Sequence, residues 1–89
     1  MTDKEIAKFT INLINQKENE NDQFIRYSYY ELKVKNNLND NDIDKILLIS
    51  RNYFENKGYK VYFTNARFTY QNADRMVQSN ELMIAIKEE

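Results

Sequence analysis

The chain is predicted to fold as a single α+β domain: three helices followed by a small antiparallel sheet. Three observations lead there. Apolar residues recur at helical spacing near the N-terminus and again through the middle of the chain, whereas residues 59–64 and 82–87 alternate apolar and polar as half-buried strands do. The only glycine, Gly58, stands where the first pattern gives way to the second. The length of 89 residues suits one small domain. Seven tyrosines and five phenylalanines fill a small core efficiently, so a folded chain is expected despite 30% charged residues.

The first helix is predicted from Thr2 to about Lys17. Thr2 and Glu5 have capping-box spacing, in which each side chain satisfies the other's backbone N–H. Ile6, Phe9, Leu13 and Ile14 then share a face. The run 17–23 has no apolar residue and reads as a solvated loop. Residues 24–35 allow two readings. As a helix, Ser28 caps the N-terminus, Glu31 completes a second capping box, and Tyr30, Val34 and Leu38 lie roughly on one side. As a strand, Phe24, Arg26, Ser28, Tyr30, Leu32 and Val34 share a face that mixes charged and apolar groups. The helix is the preferred reading, although aromatic and β-branched content favours the strand.

The central helix, about 40–57, carries Ile43, Ile46, Leu47, Ser50 and Phe54 on one stripe, with Ile49 and Tyr53 widening it. Asp40, Asp42 and Asp44 lie in its first turn, where the helix dipole favours negative charge. Gly58 is placed to end it in a left-handed conformation. In the β region, Tyr59, Val61 and Phe63 alternate with Lys60, Tyr62 and Thr64. Leu82, Ile84 and Ile86 alternate with Met83, Ala85 and Lys87. These first and last strands are expected to pair, with 66–70 and 75–78 flanking a hairpin turn at 71–74.

Several chemistries are excluded. There is no cysteine for disulfides or thiolate metal sites, and no histidine to act as general base near neutral pH. One glycine cannot form a phosphate-binding glycine-rich loop. Asp40, Asp42 and Asp44 imitate the start of a calcium loop, but Lys45 and Arg51 stand where its glycine and bidentate glutamate belong. The expectation is a protein with no enzymatic activity, no cofactor and no metal. The acid-containing N-terminus and the lack of a long apolar run point away from a secretory signal or membrane span and towards a cytoplasmic protein. A bias to Asn, Ile, Lys and Tyr suggests the A/T-rich coding of low-GC bacteria and their phages or mobile elements.

Glu31-Leu32, then Leu38, then Ile43, Ile46 and Leu47, then Gly58-Tyr59-Lys60-Val61 resemble the helix-turn-helix and wing of bacterial winged-helix regulators, over residues 28–86. The resemblance divides the chain into an N-terminal helix and polar loop (1–23), a helix-turn-helix-like unit (24–58) and a β wing (59–89). It implies a DNA-binding regulator whose second motif helix, here 40–57, would enter the major groove. The exposed side of that helix, projected at about 100° per residue, holds Asp44, Lys45, Leu48, Arg51, Asn52 and Glu55. Two acids cancel two bases, so Lys45 and Arg51 would be weak phosphate contacts. On the wing, Lys57, Lys60, Arg67 and Arg75 face a single acid, Asp74, and are the better nucleic-acid candidates. The chain's net charge of −1 favours a different class, a protein-binding accessory or inhibitor that acts on a host protein. Its interface would use Leu48, Tyr27, Tyr29 and Tyr62, and the same surface would suit a homodimer.

Overall fold

A computed structural model of the chain describes residues 1–63, 69–70, 78–79 and 81–88, the two short middle segments by their backbone pairing alone. Helix α1 spans Asp3–Glu20. The Thr2 hydroxyl accepts from the Glu5 N–H at 3.2 Å and the Glu5 carboxylate accepts from the Thr2 N–H at 2.8 Å, closing the expected capping box. That hydrogen bonding holds the Glu5 carboxyl below the usual range. The helix runs through residues the sequence assigns to a loop. Its last turn is held by partners far along the chain: Lys17 bonds Glu31 at 2.8 Å, and Glu18 accepts from Tyr53 at 2.9 Å and from Lys57 at 2.8 Å. Ile6, Leu13 and Ile14 face the core with Thr10, whose hydroxyl is satisfied by the Ile6 carbonyl.

Residues 24–35 divide between the two readings. Phe24–Ser28 is strand β1, and Tyr30–Lys35 is a short π-helical turn. Within β1, Ile25 and Tyr27 are buried while Phe24 and Arg26 face out. Ser28 does accept from the Glu31 N–H at 3.1 Å, but the Glu31 carboxylate goes to Lys17, so the second capping box is half-formed. The wider turn also rotates the apolar face: Leu32 is fully buried and Val34 is exposed. Asn37 ends the turn at φ 53°, a left-handed conformation that asparagine tolerates.

Helix α2 spans Asp40–Asn56, with the Asn39 side chain accepting from the Asp42 N–H at 2.8 Å. Ile43, Ile46, Leu47, Ser50 and Phe54 are all buried, as the stripe requires. Ile49 is exposed and Tyr53 only half-buried, so the stripe is narrower than the sequence suggests. Phe54 meets Tyr53 and Tyr59 edge-on, with ring centroids 5.2 and 4.9 Å away. Gly58 follows at φ 92°, where a Cβ is disfavoured, and reverses the chain into β2, Tyr59–Phe63.

The main sheet is antiparallel, with strand order β1-β5-β2 and β5 (Glu81–Lys87) at its centre. The predicted pairing of the first and last β segments is present as β2 with β5, in the register Val61 opposite Ala85. The second partner of β5 is β1, with Ile25 opposite Ala85 and Tyr27 opposite Met83. The sheet therefore begins between the first two helices, not after all three. A register shift follows Tyr27, and there the consecutive residues Leu82 and Met83 are both fully buried. Between β2 and β5, β3 (Thr69–Tyr70) and β4 (Gln78–Ser79) form a two-stranded pair, as a hairpin across this region requires. The predicted turn at 71–74 lies outside the described residues. One apolar core joins α1, the π turn, α2 and the inner face of the sheet.

Candidate functional site

Two surfaces compete as a site, and the fold treats their side chains differently. The first is the solvent side of α2. Its cations are engaged within the molecule. Lys45 bonds Asp3 at 3.0 Å, Arg51 lies 3.8 Å from Glu55 and 5.6 Å above the Phe63 ring, and Lys57 bonds Glu18 at 2.8 Å. Lys57 also reaches the Tyr53 hydroxyl at 3.2 Å, and these two bonds, Glu18 first, push its pKa up. The acids of the first turn are likewise drawn into the fold. Asp42 is buried 3.5 Å from the terminal amine, and Asp40 accepts from Tyr29 at 3.2 Å and lies 3.6 Å from Lys33. Leu48, 47% exposed, and Ile49 line a shallow groove with Ile6, Asp3 and Lys45.

The second surface is the outer face of the sheet. The register sets Phe24, Ile86 and Lys60 in one row across the three strands, and Arg26, Ile84 and Tyr62 in the next. Lys60 is exposed and makes no ion pair with a described residue. Arg26 lies 3.3 Å from Glu81, with most of its side chain in solvent.

The predicted site residues are thus dispersed. Tyr27 is not a surface residue: it is fully buried, and its hydroxyl donates to Ser50 at 2.9 Å. Burial is also the main reason its phenol titrates above the ordinary range. Its position two residues after Ile25 on an alternating strand turns it to the core, which the helical reading concealed. Tyr29 is half-buried, packed on the core, and its hydroxyl donates to Asp40 at 3.2 Å. Tyr62 and Leu48 are exposed as predicted, but on different surfaces. Lys45, Arg51 and Lys57 are carried by α2 and its cap, while Lys60 belongs to the sheet. Arg67 and Arg75 lie outside the described residues. Sequence reasoning missed Phe24, Arg26, Ile84 and Ile86. The signal for the first two was the shared face of 24 and 26 in the strand reading.

A polar cleft of about 450 Å³ between α1 and the π turn is lined by Asn12, Gln16, Glu31, Lys35 and Asn36. Glu31 is already paired there with Lys17 at 2.8 Å. Among the described residues no helix is long and apolar enough to cross a membrane. No protein-family model matches this chain, and no curated protein or solved structure is significantly similar to it.

Proposed function

We propose that the protein is a small non-enzymatic interaction module of winged-helix-like order that binds nucleic acid through its sheet side, not through α2. What supports the winged-helix reading is the turn and helix of 28–58 followed by β2 and β5. The chain leaves β2 and re-enters β5 at the same end of the pair, with a two-stranded pair between, as a wing would. The observation that carries the choice of surface is the state of the cations. Phosphate neutralisation supplies most non-specific affinity. Lys45, Arg51 and Lys57 would each have to give up an acid of this chain to provide it, whereas Lys60 has no ion-pair partner among the described residues. Arg67 and Arg75, which lie outside the described residues, are the sequence's further candidates.

Fluorescence anisotropy with labelled DNA, single-stranded and duplex, tests this. Affinity should fall steeply between about 50 and 200 mM salt, and Lys60→Ala should lower the salt slope by about one. Lys45→Ala should leave the slope unchanged. Absence of binding to either form of DNA at the lower salt would remove the proposal.

The exposed Leu48 and Ile49 favour a second reading, a protein-binding accessory role. An apolar pair beside a shallow groove is the kind of feature a partner's side chain fills. Leu48→Asp should then abolish capture of that partner while leaving the melting temperature unchanged.

A further inference from the structure

The outer face of the sheet is left over by folding. The inner face supplies Ile25, Tyr27, Met83 and Ala85 to the core, all buried. On the outer face, Phe24 is 41% exposed, Tyr62 47% and Ile86 40%. Strands about 4.8 Å apart and a repeat of about 7 Å for every second residue fix the layout. The two rings stand on opposite edge strands in adjacent rows, roughly 12 Å apart on the diagonal. Each ring shares its row with a cation at the far edge: Lys60 with Phe24, and Arg26 with Tyr62.

We propose that this face binds single-stranded nucleic acid, with bases stacked on Phe24 and Tyr62 and backbone phosphates held by Lys60 and Arg26. The inference rests on the nucleic-acid reading above and names the form of the ligand and the residues that hold it. Three arguments select this occupant. An exposed ring on a sheet face offers its π surface, and only an unpaired base can offer its own in return; a duplex presents base edges. The charges fit: Lys60 forms no ion pair with a described residue, and the Arg26–Glu81 pair, with most of the Arg26 side chain in solvent, is of a kind worth little, so a phosphate can replace it. Size decides the third point. A platform of three strands and two rows, about 10 by 7 Å between backbone positions, accommodates two or three nucleotides. A stable protein interface needs about 800 Å² from each partner, far more than this patch provides. Glu88 follows β5 at the end nearest Phe24 and Lys60, its N–H 3.4 Å from the Gly58 carbonyl. It sets an acidic border there, so the bound strand is expected to run towards the opposite end of the sheet.

The test uses the full chain with labelled ten-nucleotide oligo-dT and oligo-U at about 50 mM salt. Single strands should bind, and Phe24→Ala and Tyr62→Ala should each weaken binding by roughly 5- to 100-fold, the range expected for losing one stacked base. Glu88→Lys should strengthen it. Retained affinity in the Phe24→Ala/Tyr62→Ala double variant, or a duplex of the same sequence binding equally well, would overturn this inference and leave the nucleic-acid reading standing. If no nucleic acid binds at all, both fall together. A dimer in sedimentation that Tyr62→Ala dissolves would also overturn it, assigning the face to a second copy of the chain.

Discussion

The two faces of one sheet are built from the same kinds of residue and meet opposite environments. In β1 the sequence alternates Phe24, Ile25, Arg26 and Tyr27, and the odd positions are buried while the even ones stand in solvent. In β5 the outer positions are Ile84 and Ile86, at least as apolar as Met83 and Ala85 inside. Among the described residues, helices cover one face only. Large apolar groups kept on the uncovered face gain little for the fold, since burial is what makes such groups stabilising. The same contrast separates charged groups: the cations of α2 and its cap are absorbed by Asp3, Glu18 and Glu55, and Lys60 on the sheet is paired with no described residue. Composition therefore does not distinguish the core face from the exposed one in this molecule. Commitment to internal partners does.

The most forceful way to break this comparison is through the inner face. Tyr27→Ala removes a fully buried ring and strands the Ser50 hydroxyl. A loss of about 3–5 kcal/mol is expected, enough to unfold much of so small a domain, as urea titration followed by circular dichroism would record. Tyr27→Phe keeps the ring and removes only the hydroxyl, so about 1–3 kcal/mol should be lost. That variant also isolates a pH effect. Burial raises the Tyr27 pKa in the folded state, so folding favours the protonated phenol. Its contribution is fully present below about pH 10, the unfolded value, and is lost as pH rises from there towards the folded value. Lys57, raised by its bonds to Glu18 and Tyr53, acts with the same sign. Melting temperature should fall above about pH 10, less steeply in Tyr27→Phe than in the parent.

Gly58 comes next. Its φ of 92° leaves open space where a Cβ would sit, so a substitution is resisted by backbone conformation and not by a clash. Gly58→Ala should cost about 1–2 kcal/mol, visible as a lower denaturant midpoint with unchanged slope.

How far this architecture can be read from the sequence follows the range of the interactions. The α2 stripe, the Thr2–Glu5 box and the stop at Gly58 depend on neighbours within a few residues, and each was legible. The last turn of α1 was not, because Glu18 is held by Tyr53 of α2 and by Lys57 at its cap. Strand β1 was hidden for a related reason. Ser28 and Glu31 signal a helix start, which the π turn partly honours, while the strand before it exists only by pairing with β5 near the other end of the chain. The candidate site shares that dependence. Lys60 and Tyr62 could be singled out from local alternation, but Phe24 and Arg26 join them only because β5 lies between their strands.

The smallest expected effect bears most directly on the comparison. Phe24 and Tyr62 each lie opposite an isoleucine of β5, Ile86 and Ile84 respectively. Cross-strand pairs of this kind contribute a few tenths of a kcal/mol up to about 1, and both rings already keep more than two-fifths of their surface in solvent. Phe24→Ala and Tyr62→Ala should therefore each shift stability by only about 0.5 kcal/mol, measured by the same urea titrations. Such small shifts would establish that losses of ligand affinity in these variants do not arise from unfolding. A cost as large as that of Tyr27→Phe would mean that the outer rings also hold the fold together, and the distinction between a committed and an uncommitted face would collapse.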